Sequence, residues 1–149
     1  MGFLLPALIV LTFDQITKQF FWHLAKNFDV IDGFFRITLV KNSGAAFGML
    51  QGGRVFLIIS SVIASIVIVF LAERMERETL ARRVYLGMIL GGALGNLVDR
   101  IYPGEVIDFI DMGIGSYRWP VYNLADSAVT IGGILLILSF SRARGAKEE

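Results

Sequence analysis

The sequence predicts a mainly α membrane protein with four transmembrane helices and a small β-rich segment outside the bilayer. Three observations carry this. Hydrophobic residues make up 55% of the chain and charged residues 18%, a balance that suits lipid as the solvent for much of the surface. Four apolar stretches approach the roughly 20 residues that a helix needs to cross a bilayer. One connection between them alternates apolar and polar residues as a strand does.

The four stretches lie near Phe3–Phe21, Val55–Ala72, Val84–Ile101 and Tyr122–Phe140. The first is read as a span and not as a cleavable leader. Met1-Gly2 supplies no basic leading region, and Asp14, Gln15 and Lys18 interrupt the apolar run. An even number of spans leaves both termini on one side. Arg74, Arg77, Arg82 and Arg83 crowd the short link between spans two and three, and Arg142, Arg144 and Lys147 the tail. Short basic segments beside span ends mark the cytoplasmic side. The bias is moderate, because Lys26, Arg36, Lys41 and Arg54 fall on the outer side. No repeat or linker divides the 149 residues, so one domain over 1–149 is expected.

Both outer connections carry features. In the first, Phe35, Ile37 and Leu39 alternate to one face, which predicts a strand over Phe34–Val40 lying on the membrane or against the helix ends. The second, Tyr102–Val121, places Gly104, Gly113 and Gly115 around Asp108 and Asp111 and ends in Trp119-Pro120. Those glycines predict a mobile, turn-rich loop, and Trp119 suits the bilayer interface. Along span three, Gly87, Gly91 and Gly95 recur every four residues, a ridge that lets a neighbouring helix approach closely.

Composition excludes several chemistries. The net charge of +1 is dispersed and gives no field to hold nucleic acid. Cysteine is absent and His23 is the only histidine, so thiolate catalysis, a Ser-His-Asp triad and a His-Glu-x-x-His zinc site are not available. A Ser-Lys pair from Ser43 and Lys41 is disfavoured, because they are i,i+2 neighbours on or beside a strand.

Five polar clusters remain, at depths where ionisable groups are costly. Asp14 and Lys18 share a helix face at i,i+4 spacing and read first as an ion pair anchoring span one. Around Asn42-Ser43-Gly44, small residues allow backbone to approach a ligand and Asn42 can both donate and accept; an ordinary turn explains them equally well. In Asn96-Leu97-Val98-Asp99-Arg100, Asn96 and Arg100 share a face and Asp99 lies one position off it. Arg100 could steady nearby carboxylates, or Asp99 and Arg100 could be a helix-end pair. Asp108 is flanked by bulky apolar residues that favour its protonated form, whereas Asp111, close to Gly113, is expected to face water. Asn123 suits the cap of span four, which leaves Asp126 one turn inside without a capping duty. Asp108 and Asp126 thus lie at one membrane face. Two carboxylates held close keep one proton between them, the division of labour that peptide hydrolysis by an acid pair requires. An ion- or proton-coupled transporter is the alternative for such acids, although its polar groups would cross the bilayer and not cluster at one face. A non-enzymatic assembly subunit using the glycine ridge would leave the acids without a task.

Five blocks occur in order along nearly the whole chain: Asp14-x-x-Thr17-Lys18, Asn42-x-Gly44-Ala45-Ala46-Phe47-Gly48, Gly95-Asn96-x-x-Asp99-Arg100, Val106-x-Asp108-Phe109 and Asn123-x-Ala125-Asp126-Ser127. In this order they resemble the signature blocks of the lipoprotein signal peptidases (signal peptidase II). Tyr122 stands where Phe is expected, a departure that leaves the proposed chemistry untouched. The resemblance implies an aspartic endopeptidase of the bacterial inner membrane that removes signal peptides from diacylglyceryl-modified prolipoproteins, on the amino side of the lipidated cysteine. It makes Asp108 and Asp126 the catalytic pair. It gives Asn42, Gly44, Asn96, Arg100 and Asn123 to substrate binding or to positioning of the pair, and Asp14, Lys18 and Asp99 to structural support. It also implies an outer β-rich cradle, a flap formed by the second connection, contact with membrane lipid, inhibition by globomycin, and no metal or cofactor. A monomer is expected.

Overall fold

The computed structural model describes residues 2–45, 49–74 and 79–145, with the side chains of 142–145 left aside. Ala46, Phe47 and Gly48 of the second block, Arg77, and Lys147 of the tail lie outside the described residues. The chain runs α1 (Leu4–Leu24), β1 (Phe28–Ile31), β2 (Phe35–Asn42), α2 (Arg54–Arg74), α3 (Leu80–Ile101), β3 (Val106–Ile114), β4 (Tyr117–Arg118) and α4 (Leu124–Gly145).

Four helices therefore stand where four apolar stretches were expected. Three of them, α2, α3 and α4, are long and apolar enough to cross a membrane. The 21-residue α1 is not in that group; Asp14, Gln15, Lys18 and Gln19 lower its hydropathy. Large apolar side chains point outward along the outer helices: Leu5 and Phe13 on α1, Val55 and Ile66 on α2, and Ile134 and Ile137 on α4 are all about half or more exposed. In water this would be a severe penalty; against lipid chains it costs nothing.

Helix α3 is central and packs against α1, α2 and α4. The glycine ridge explains how. A Cβ on Gly87 would strike the Phe3 carbonyl and Pro6, and one on Gly91 would strike Ala7 and Val10, all of α1. Gly95 faces the Asp14 carboxylate, and Gly92, on the neighbouring face, meets the Ala125 carbonyl of α4. The ridge is thus a backbone contact that also clears space for a buried acid. At the C-terminal end of α3, Arg54 donates from Nε to Arg100 O (2.8 Å) and from Nη2 to Ile101 O (3.0 Å), satisfying carbonyls that the helix itself leaves open.

The strands form one antiparallel arrangement in the order β1-β2-β3-β4. The expected strand appears as β2, with Ile37 buried. The second connection is not the loop that its glycines predicted. Nine of its residues form β3, paired along β2, and it turns back through β4. Its glycines serve the hairpin: Gly115 holds φ +59 at the turn, and a Cβ on Gly113 would strike the Tyr117 carbonyl.

One irregularity places the site. Between Ile37 and Val40, β2 spends three steps against two on β3, where Ile37 faces Ile110 and Val40 faces Asp108. Strict alternation from Ile37 would point Asn42 to the opposite face. The extra residue reverses the phase, so Asn42 pairs with Val106 and lies on the face of Asp108.

Candidate active site

Asp108 sits in mid-β3, 2% exposed. Asn42 Nδ2 donates to its Oδ2 (2.9 Å) and Asn123 Nδ2 to its Oδ1 (2.7 Å). Asp126 stands at the third position of α4. Asn96 Nδ2 donates to its Oδ1 (2.7 Å) and the Asn123 backbone N–H to its Oδ2 (3.2 Å). One residue, Asn123, therefore touches both acids. The sequence brought these two residues within 18 positions; the cap of α4 brings their carboxylates to one residue, Asp108 to the Asn123 side-chain amide and Asp126 to its backbone N–H.

That cap corrects an expectation. Asn123 does cap α4, its Oδ1 accepting from Asp126 N at 3.0 Å. Asp126 answers by accepting from Asn123 N, so it takes part in a reciprocal capping box and is not free of capping duty. A third α4 amide, Ala125 N, donates to Asp14 Oδ1 (2.9 Å) from α1. The helix that carries Asp126 is thus seated by an acid from another helix, each such bond contributing about 1 kcal/mol.

Behind the acids lies a buried polar group. Lys18 Nζ reaches Asp14 Oδ2 (2.8 Å), Asp99 Oδ2 (2.7 Å) and Asn96 Oδ1 (3.0 Å). Asp99 therefore faces α1 and pairs with Lys18, not with its neighbour Arg100. Gln15 closes the group by donating to Asp99 Oδ1 (3.0 Å) and to Gly95 O (3.2 Å). Arg100 turns to the second block, where Nη2 donates to Gly44 O (3.1 Å). Gly44 is required there by close approach, since a Cβ would strike the Met49 carbonyl.

Asp111 is the clearest difference from expectation. It is 6% exposed and does not face water. Arg118 Nε donates to its Oδ1 (2.7 Å) and Thr38 Oγ1 to its Oδ2 (3.0 Å). It lies on the strand face opposite Asp108 and fastens β4 and β2 to β3. Gln15, Arg54, Thr38 and Arg118 were not foreseen as contributors. Arg54 had a signal in its place just before span two; Arg118 and Thr38 had none, because their partner becomes visible only once β2, β3 and β4 are in register.

A cavity of about 1400 Å³ opens beside the two acids. Asn96 and Arg100 line it from α3, Ser60 and Ser61 from α2, and Ser127 from α4. It exceeds the usual volume of a small-ligand pocket, about 300–1,000 Å³. Burial pushes the Asp108 carboxyl up to about 6; the Asn42 hydrogen bond opposes this, and the Asp126 charge adds to it. Near neutral pH, Asp108 holds its proton about a hundredfold more often than an ordinary aspartate would.

This shift has a consequence for stability. The folded chain holds the Asp108 proton to about pH 6, and an unfolded aspartate releases it near 3.8. Its contribution to stability is present below the lower value and is lost as pH rises through about 6, a change of about 3 kcal/mol. Asp108→Asn carries no such charge. Its stability relative to the parent should therefore improve between about pH 4 and pH 8, by about 3 kcal/mol. Unfolding of the two proteins in one detergent across that range checks this, and a pH-independent difference would show an unshifted carboxyl.

A family model described as signal peptidase (SPase) II matches residues 6–142. The chain belongs to the signal peptidase II family. Relatives agree over almost the full length. The lipoprotein signal peptidase of Syntrophus aciditrophicus is 41% identical, over 97% of this chain and 95% of its own. That of Staphylococcus aureus (strain JH9) is 39% identical, over 98% and 91%. Two solved bacterial membrane enzymes, both determined by the in meso method, share the fold. One has a TM-score of 0.86 at 37% identity, with 99% of this chain and 92% of the other covered; the second has 0.79 at 38%, with 93% and 91% covered. This signal peptidase II chain is accordingly an enzyme, a peptidase, and the transporter reading of its acids falls away.

Proposed function

We propose that the chain is an aspartic endopeptidase that removes the signal peptide from diacylglyceryl-modified prolipoproteins, on the amino side of the lipidated cysteine, with Asp108 and Asp126 as its catalytic pair. The observation that carries this is the single Asn123 side chain and backbone touching both carboxylates. Asp108, more ready to keep its proton, donates to the scissile carbonyl oxygen. Asp126 takes a proton from water as the water oxygen bonds to the carbonyl carbon. The tetrahedral intermediate collapses: one hydroxyl returns a proton to Asp108 as the C=O bond re-forms, the C–N bond breaks, and the proton taken up by Asp126 passes to the leaving amine. Asn42, Asn96 and Asn123 hold the carboxylates, while Arg100 and Gly44 shape the adjoining wall. Asp14, Lys18 and Asp99 seat α1, α3 and α4 against one another.

All of 1–149 forms one peptidase unit on this reading. The four helices cross the bacterial inner membrane, α1 included, because its polar side chains Asp14 and Lys18 are turned inward and are 0% and 2% exposed. The sheet is the outer cradle, and both termini are cytoplasmic. A reporter fused after Glu149 should then be active only in the cytoplasm; activity outside would reverse the topology. The apolar cavity next to the acids suits a substrate that stays in lipid, and the same cavity would take a globomycin-type inhibitor. The motion assigned to a flap is assigned here to the β3–β4 hairpin, whose turn at Gly115 is not packed. The enzyme works as a monomer in membrane lipid.

Purified chain in lipid vesicles, offered one prolipoprotein with and without its diacylglyceryl group, tests the substrate. Signal-peptide release is expected at least about tenfold faster from the lipidated form, the discrimination that burying even a few extra methylenes supplies. Equal rates would show that the lipid is not recognised.

A further inference from the structure

Three amides touch the two carboxylates. Each carries its acceptor and its donors on opposite arms, so each must be oriented by a neighbour that cannot itself reverse. Backbone N–H groups do this for two of them. Gly44 N donates to Asn42 Oδ1 (2.9 Å), and Asp126 N donates to Asn123 Oδ1 (3.0 Å). Their Nδ2 groups are then left to face Asp108. For Asn96 the corresponding neighbour is the Lys18 ammonium, 3.0 Å from Oδ1.

Lys18 is suited to that task. It has three donors and no acceptor, and it is 2% exposed. It lies between Asp14 and Asp99 as their counter-ion and donates a hydrogen bond to Asn96. An ion pair that served only to join α1 to α3 would need only the two acids. Asn123 Nδ2 approaches the same Asn96 oxygen at 3.1 Å, which adds a second donor on that arm. Asn96 Nδ2 is thereby committed to Asp126 Oδ1 at 2.7 Å.

We infer that Lys18 is a positioning residue for the reaction: by holding the Asn96 amide with Nδ2 toward Asp126, it keeps a donor on the carboxylate that accepts the proton of water. The inference rests on the reading of Asp108 and Asp126 as the catalytic pair. With Lys18 gone, the Asn96 oxygen keeps only the longer Asn123 bond, and the amide reverses more readily. Its oxygen would then face Asp126, which could meet it only by carrying a proton. Among the described residues, Asp108 on β3 and Arg100 on α3 are the charged groups that act on Asp126, while Asp99 on α3 and Asp14 on α1 meet Lys18.

Lys18→Met alone would leave Asp14 and Asp99 buried without a counter-ion. Asp14→Asn/Lys18→Met removes one charge of each sign, so that of the two acids only Asp99 loses its counter-ion, and the Gln15 amide still donates to it. The test is the pH profile of kcat/KM for signal-peptide release from a diacylglyceryl prolipoprotein, with the full chain in lipid vesicles and folding followed by thermal unfolding. The acid limb of the double variant should move up by about one pH unit, so that the rate on that limb falls about tenfold. Asn96→Leu keeps the ion pair and should move the limb equally. Adding the Asp14 and Lys18 changes to Asn96→Leu should move it no further, because both act through one bond. Lys18→Arg, still a donor, should keep the parent limb. A lower rate with an unmoved limb in the double variant would overturn the inference, as would an additional displacement in the combined variant. If the double variant does not fold, Asn96→Leu decides, and an unmoved limb there overturns it. Failure of the underlying reading shows differently: Asp126→Asn would cleave at the parent rate, and both would fall.

Discussion

Asp126→Asn and Asp108→Asn are each expected to lower the rate of signal-peptide release by about a thousandfold or more, the scale seen when one member of a concerted catalytic group is removed. Each substitution keeps the shape of the side chain and one acceptor oxygen. Each loses the ability to take up or release a proton. At position 126 the remaining oxygen can still accept from Asn96 or from the Asn123 backbone, so α4 should stay capped. At position 108 an amide would set its own donors against those of Asn42 or Asn123, a local cost that falls on the site and leaves the sheet intact. Asp111→Asn is the matched comparison on the same strand. It should weaken the bond from Arg118 and loosen the hairpin, yet keep cleavage within about tenfold of the parent, since the change is uniform in ground and transition states. Loss at Asp111 with retention at Asp108 would mean that the two acids of β3 had been assigned the wrong way round.

The second large effect is expected on folding. Gly91→Val forces a branched side chain against the Ala7 carbonyl and Val10 of α1, where the contact is backbone and cannot move aside. Overpacking of that kind costs about 3 kcal/mol or more, enough to remove most of the folded protein. Gly133 is the comparison. It lies in α4 with open space where its Cβ would be, so Gly133→Ala should be neutral or stabilise by up to about 1 kcal/mol. Thermal unfolding of both variants in one detergent separates them. A Gly91→Val protein as stable as the parent would show that α1 and α3 do not touch along the ridge.

The helices were legible because hydropathy and length are local signals. The four expected spans fall inside the observed helices or within two or three residues of their ends. The ridge of Gly87, Gly91 and Gly95 was legible for the same reason, since a four-residue period puts small residues on one face whatever the partner. The strands were only partly legible. β2 announced itself by alternation, but β1 is exposed along its whole length and has no alternation to read. β3 was hidden because Asp108, Asp111 and three glycines look like a loop until β2 supplies its partner. The same partner explains Asp111. A carboxylate that looks solvated in sequence becomes buried when Arg118 and Thr38 arrive from neighbouring strands. Within the site, the residue types were readable but their bonds were not. The phase change between Ile37 and Val40 that turns Asn42 toward Asp108, and the reach of Asp14 across to the start of α4, depend on register and packing that no single segment encodes.

The central claim is that Asp108 and Asp126 act as one unit. Single-turnover cleavage of a lipidated prolipoprotein by the parent, Asp108→Asn, Asp126→Asn and the double variant tests it directly, with each protein shown to be folded in the same vesicles. Groups that act together give strongly non-additive losses, so the double variant should cleave within about tenfold of either single one. A folded Asp126→Asn protein cleaving near the parent rate would contradict the account, as would a double variant whose loss equals the product of the two single losses.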